Sequence, residues 1–267
     1  MKHILLIMII FFMPRLHADI VMGVVPQQSP VKLLKVWEPI AIYLSEQTGQ
    51  KVIFKTERSI NKFEEVLYAG GYDFAYMNPY HFVLANKSQM YQAKVRAVKN
   101  IKGILVKKKG SNKKNFIDEN SRFIFPAPNA FAATLLTKHE LIQQYNIDLN
   151  VLNKATRYVN SHDSVYKGIS RGIADIGGGI ERTFKSLHDD KTKNDLVIVH
   201  TTKEYPSHPF AFKSTIPKVL QKKLVDALLT MPKTYLKPLK IKRLKAIDND
   251  EYKSVKELAI RLNIMPK

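Results

Sequence analysis

Apolar residues recur along this chain in short blocks that alternate between two spacings. Ile20 to Val25 is a continuous apolar run closed by Pro26, the signature of a buried strand. Leu33, Leu34, Trp37, Ile40, Ala41 and Leu44 then follow helical spacing, with Ser29 and Pro30 as start signals and Thr48-Gly49 as the stop. Pro39 inside that stretch predicts a kink or a restart. Lys51 to Thr56 alternates as a strand, and Asn61 to Ala69 reads as a short helix. Asn78-Pro79 opens another helix, and Val95 to Lys107 gives one or two strands. Arg122 to Phe125 is a strand leading into Pro126-Ala127-Pro128-Asn129, where Asn129 is the expected N-cap of a long helix from Ala130 to Tyr145. Further strands are expected at 156–159 and 196–200, and further helices at 163–171, 182–188, 217–229 and 251–262.

One unit occurs twice. A helical stretch ends at Gly70 or Gly172, and an Asp (Asp73 or Asp175) then opens a short apolar run. Glycine at a helix end accepts the left-handed backbone that terminates it. A polar turn and another helix follow in both copies. This duplication, with strands and helices alternating throughout, predicts an α/β protein with parallel crossovers and two similar lobes. The expected division is 19–102 plus 203–267 for the first lobe and 103–202 for the second. Two crossings of the chain would form the hinge. In open α/β sheets ligands sit beyond the carboxyl ends of the strands, so the facing ends predict a cleft.

Composition adjusts this picture at three points. Lys2, the apolar run Ile4–Met13 and the small Ala18 ahead of Asp19 predict a cleaved secretory signal over 1–18, too short to span a bilayer. The absence of cysteine from all 267 residues then fits a bacterial periplasm, where the core alone must hold the fold. The net charge of +20 admits an anionic ligand, an anionic surface or simple solubility, and the lysines are spread along the chain. Lys233, Lys237, Lys240, Lys242, Arg243 and Lys245 form the densest basic stretch, which reads first as a solvated surface. An exported chain is not expected to meet nucleic acid. No Gly-x-Ser-x-Gly, cysteine nucleophile or zinc-spaced histidines occur, so neither catalysis nor a cofactor is expected. Gly177-Gly178-Gly179 lacks the Gly-Lys-Ser/Thr that would make a nucleotide loop.

Several segments together resemble a known family. They are Gly23-Val24-Val25-Pro26, Trp37–Leu44 with Thr48-Gly49, Tyr72-Asp73-Phe74-Ala75, Ser161–Val165 before Gly172–Asp175, and Asp250-Glu251-Tyr252. In order and spacing they are similar to the periplasmic substrate-binding proteins of phosphate/phosphonate ABC transporters, the PhnD-like group. The resemblance implies the two-lobed periplasmic-binding-protein type II fold: each lobe a mixed, mostly parallel sheet flanked by helices, with a hinge of two crossing strands. It also implies a small-molecule ligand held by helix N-termini, an ABC permease as partner, and a monomer. A membrane-bound sensor is the alternative partner, and a basic face binding envelope polymers a third reading.

Two departures from that pattern bear on the ligand. The family's Ser/Thr-rich helix start reads here Asn129-Ala130-Phe131-Ala132-Ala133, and Asn78-Pro79 replaces the usual Gly-Pro. The ligand is therefore expected to be anionic or zwitterionic rather than a settled phosphonate. Candidate ligand-binding residues are Gln28, Tyr76, Asn78, Tyr80, Asn129, Phe131, Ser161, His162 and Glu181. His162 is the position where relatives use a histidine, and its alternative is an exposed residue at a helix start. Packing on the sheet is the alternative for Tyr80, capping for Asn129, core filling for Phe131, loop solvation for Gln28 and helix-dipole favour for Glu181.

Overall fold

The nineteen-residue helix α1 shows how the alternating pattern becomes structure. A computed structural model describes residues 19–111, 121–149, 156–187 and 189–265. The first strand β1 (Ile20–Val24) leads to α1 (Pro30–Thr48), β2 (Val52–Thr56), α2 (Ile60–Tyr68), β3 (Phe74–Tyr76), α3 (Pro79–Gln89) and β4 (Gln92–Ala97). Leu33, Trp37, Ile40, Ala41 and Leu44 bury one face of α1, and Gly49 ends it in the left-handed region at φ 70°. The helix runs unbroken through Pro39, against the expected kink or restart. Pro39 lies on the exposed face, where the carbonyl it frees is open to water. Ser29 occupies the cap position, but its side chain makes no capping bond.

The chain then enters a second sheet. It forms β5 (Ile101–Lys108), β6 (Phe123–Phe125), a π-helical turn (Phe131–Leu136), α4 (Thr137–Tyr145), β7 (Thr156–Tyr158), α5 (His162–Ser170), β8 (Ile176–Ile180), α6 (Glu181–Lys185), α7 (Asp190–Asn194) and β9 (Leu196–Tyr205). It returns through β10 (Pro209–Phe212), α8 (Lys218–Leu229), α9 (Lys233–Leu236), β11 (Leu244–Ala246), a 3₁₀ turn at Asn249–Tyr252 and α10 (Lys253–Arg261). The sheets are ordered β11-β4-β10-β3-β1-β2 and β7-β6-β8-β5-β9. Both are mixed: β10 inserts antiparallel between β3 and β4, and β5 lies antiparallel between β8 and β9. Both sheets are therefore mixed, as the resemblance implies. The crossings fall between Ala97 and Ile101 and between Tyr205 and Pro209, and Ile101 pairs with Tyr205 beside them.

The duplicated Gly–Asp unit performs one task in both sheets. Gly70 and Gly172 turn at φ 76° and 73°. Asp73 N–H donates to Val21 O at 2.9 Å while the Asp73 carboxylate accepts from Val21 N–H at 2.7 Å. Asp175 makes the same exchange with Arg122, at 2.9 Å in both directions. Each Asp thus fastens the start of its strand to the neighbouring strand, leaving the strand's far end for the cleft.

The second sheet is pinned to its helices by glycine. A Cβ on Gly103 would lie 2.0 Å from the Ala132 carbonyl oxygen, and one on Gly178 2.2 Å from that of Ala133. The triple glycine is therefore a close-packing surface for the π-helical turn and Tyr166. The long helix expected from 130 begins instead with that turn, in which the N–H groups of Thr134 and Leu135 both reach Ala130 O, at 2.8 and 3.3 Å. Ala130 takes the cap position and Asn129 lies outside it, which corrects the expected capping role. The expected signal (1–18), most of the basic loop 110–115 and His188 lie outside the described residues.

Candidate ligand-binding cleft

The carboxyl ends of β1, β3 and β8 face the starts of α3, the π-helical turn and α5. They enclose a space of about 10 Å³ between the sheets, lined in part by Val25, Gln27, Asn78, Phe131, His162 and His208. That is room for about one water, so the two lobes are closed on each other. The closure has a specific set of bonds. Gln27 O accepts from His162 N–H at 3.2 Å. Asn78 Nδ2 donates to Asn129 O at 3.2 Å, and Asn129 Nδ2 donates to Glu64 Oε2 at 3.3 Å. Arg182 donates to the Tyr76 hydroxyl at 2.8 Å, and Lys32 pairs with Asp163 at 2.8 Å. One apolar core runs across the junction, joining Trp37 and Tyr76 to Phe131, Ala133 and Ile180.

Three buried histidines converge here. His81, His162 and His208 each carry an Nδ1 with no partner among the described residues. His208 Nε2 lies 2.6 Å from the Gln27 amide nitrogen, and its ring stacks on Tyr76 at 5.3 Å. His81 Nε2 lies 2.9 Å from Glu64 Oε1, and Asn78 caps α3 by accepting from His81 N–H at 2.7 Å. Burial, helped by the charge of Arg182, pushes the His162 pKa down to about 3. Burial first, then Arg182, His81 and His162, holds His208 well below its ordinary value. Both rings are neutral at neutral pH.

Beside them, the backbone N–H groups of Phe131, Ala132 and Ala133 open the π-helical turn, and among the described residues none has an acceptor. Such groups favour an anion.

The predicted residues divide. Tyr76, Asn78, Asn129, Phe131 and His162 come together at the closure. Phe131 is buried and packs edge-on against Tyr205, at 5.6 Å, beside the crossing. The exposed alternative for His162 is corrected, since its ring is buried. Gln28 lines a neighbouring recess with Trp37, Tyr76 and Arg182, while Gln27 takes the cleft position. Ser161 caps α5 through Ser164 N–H at 3.1 Å. Tyr80 is turned away: its hydroxyl donates to Ile264 O at 2.9 Å, beside the chain's last helix. Glu181 faces Lys99 at 3.4 Å and also bonds Lys185, so its carboxylate is engaged at the rim.

Arg182 and His208 went unnoticed in the sequence. A cation in the first turn of a helix opposes the helix dipole, and that is the signal Arg182 carried. His208 stood between Pro206 and Pro209 in an extended segment, a polar ring placed where the chain crosses.

Residues 22–252 match the family model for the periplasmic substrate-binding protein of phosphonate ABC transporters. Among solved structures, a binding protein component of an ABC phosphonate transporter from Pseudomonas aeruginosa aligns with TM-score 0.84 at 17% identity. That alignment covers 92% of this chain and 86% of that one. PhnD1 from Prochlorococcus marinus in complex with methylphosphonate gives 0.84 at 17%, covering 92% and 99%. The periplasmic VFT2 domain of BvgS from Bordetella pertussis gives 0.56 at 13%, covering 83% and 92%.

Proposed function

The chain belongs to the phosphonate-binding family of periplasmic ABC transporter substrate-binding proteins, and from that premise we propose that it closes on a small phosphonate- or phosphate-like anion without transforming it. The observation that carries this reading is the donor set at the closure. His162, His208 and the amides of residues 131–133 line one small space, with Arg182 held on Tyr76 in the neighbouring recess and His81 buried behind Asn78. The nearby acids are each paired with a cation or donor: Glu64 has His81 and Asn129, Asp163 has Lys32 on one oxygen while Oδ1 is buried without a partner among the described residues, and Glu181 has two lysines. An anion therefore fits better than a zwitterion. Lobes that part and close around the solute bury it and exclude water. The lobes divide near 102 and 203, the leader 1–18 is removed on export, and the loaded monomer meets an ABC permease. Methylphosphonate, the ligand of the Prochlorococcus relative, is the first solute to try.

The test is a thermal-shift screen with phosphate, phosphite, alkylphosphonates, sulfonates and amino-acid-like solutes. A ligand at a hundred times its Kd adds about 3 kcal/mol by mass action. The single tryptophan, Trp37, packs on Tyr76 at 4.8 Å and gives a fluorescence readout at the same place. His162→Ala and Asn129→Ala should weaken the best hit while the protein stays folded. Unchanged affinity in both variants overturns this placement of the cleft.

A further inference from the structure

A concentration of positive charge lies on the hinge side, beside the cleft. A cavity of about 600 Å³ is walled by the first crossing of the chain, by α6 and by the segment ahead of β11. Lys99, Lys102, Arg182, Lys185, Lys240, Lys242 and Arg243 line it, Arg182 being shared with the recess beside the cleft, and Glu181 is the one acid among the lining residues. Glu181 is shared between Lys99 and Lys185. Among the described residues the side chains of Lys102, Lys240, Lys242 and Arg243 meet no carboxylate. Like charges gathered around one concavity repel each other and raise the local concentration of anions. The volume is that of a site for a ligand of metabolite size. Its floor is built by Ile101 and Ile241, both buried. Lys240 is also held at φ 53°, a left-handed backbone that a β-carbon disfavours, which fixes the turn presenting Lys242 and Arg243.

We infer that this hinge-side cavity, which adjoins the cleft through Arg182 and Ile101, is a second anion site that takes a ligand carrying several clustered phosphates on Lys240, Lys242 and Arg243. A single phosphate would satisfy a minority of the cations, whereas a polyphosphate chain can reach cations on both lobes at once. Free polyphosphates and phosphate-bearing lipid headgroups share this chemistry.

Calorimetric titration at low ionic strength separates the possibilities. The probes are tripolyphosphate, ATP and methylphosphonate, each against wild type, K240E/K242E/R243E and H162Q. Tripolyphosphate should bind wild type once per chain. It should bind the triple variant about tenfold more weakly or worse, since exposed charges are being reversed, and H162Q unchanged. Methylphosphonate should show the opposite order, so failure of the cleft reading and failure of this one are distinguishable. ATP bound like tripolyphosphate supports the site. Vesicles rich in phosphatidylglycerol complete the set: capture lost in the triple variant, alongside tripolyphosphate binding, identifies headgroups as a further source. Vesicle capture without tripolyphosphate binding overturns the proposal. So do equal tripolyphosphate affinity in the triple variant, loss of it in H162Q, many weak sites per chain, or no binding to wild type.

Discussion

Mild acid should loosen the closed arrangement by an amount that two residues set. His162 and His208 are buried beside Arg182, and both have pKa values below the ordinary 6.5, His162 at about 3. In any state where water reaches the rings, they take up protons as pH falls past 6.5, whereas the closed state does not. The stability they lend is therefore complete above that value and is lost progressively as pH falls toward the closed-state pKa. Going from about pH 7.5 to about pH 5.5 costs roughly 1–2 kcal/mol per ring, or about 3 kcal/mol for the pair. In a chain of this size that corresponds to a Tm drop of roughly 5–10 °C if unfolding hydrates the rings. If the lobes merely part, small-angle scattering shows an increase in radius instead. His139 is also depressed, by burial and Arg261, so the wild-type curve contains a third group. The comparison with His162→Gln isolates one of them. It should remove roughly 1–2 kcal/mol of the acid effect in calorimetry, with a matching reduction of the change in scattering. An identical pH response in wild type and variant refutes the assignment of the effect to the buried cluster.

Three further outcomes follow from particular contacts. Gly178→Ala places a methyl 2.2 Å from a backbone carbonyl oxygen, so the π-helical turn must shift. The expected loss is about 3 kcal/mol, read as a lowered urea midpoint, together with weaker methylphosphonate binding. An unchanged midpoint would show that the turn is not seated on β8. Glu251→Ala leaves the Arg96 guanidinium, which is 5% exposed, without its carboxylate and should cost about 3 kcal/mol in the same assay. Asp73→Ala removes a 2.7 Å acceptor from a half-buried strand amide, for about 1–3 kcal/mol. The twin change Asp175→Ala should cost less, because its Arg122 partner is 54% exposed, and the reverse order would contradict this account.

Much of the architecture was legible because hydrophobic spacing and glycine punctuation are local. The two Gly–Asp units announced two sheets, and the structure shows why each Asp is there. The antiparallel members were harder. Pro209-Phe210-Ala211-Phe212 carries no alternation, since as a central strand it is buried on both faces, and Pro206 ahead of it with Pro209 at its start reads as a loop. Leu244–Ala246 was hidden inside a lysine-rich stretch, and its strand character comes from pairing with β4. The π-helical turn follows from Ala132 and Ala133 seating on Gly103 and Gly178, a contact between segments far apart in sequence. The site divides along the same line. His162 was named because relatives carry a histidine at that strand-to-helix turn, and Asn78 because it stands at a strand end where a helix starts. Tyr80 was misread because adjacency to a strand end does not fix where a side chain points: its position in α3 turns the hydroxyl toward Ile264.

The loss of hydroxyls at the lobe-two helix start has a structural counterpart elsewhere in the cleft. Asn129-Ala130-Phe131-Ala132-Ala133 offers backbone donors alone beyond Asn129, whose amide is drawn to Glu64. On the proposed reading of the cleft, side-chain donors come from across the closure. Arg182 reaches from lobe two to the Tyr76 hydroxyl, and His208 rests on the same tyrosine ring. A guanidinium carries a permanent charge and several donors, which hydroxyls do not. Recognition built this way depends more on ligand charge and less on the positions of individual oxygens. Methylphosphonate, phosphate and phosphite should therefore be separated by smaller affinity ratios here than hydroxyl-lined clefts achieve. Arg182→Lys should weaken all three anions together, because ammonium keeps the charge but not the fork. A change confined to one of them would place the discrimination elsewhere.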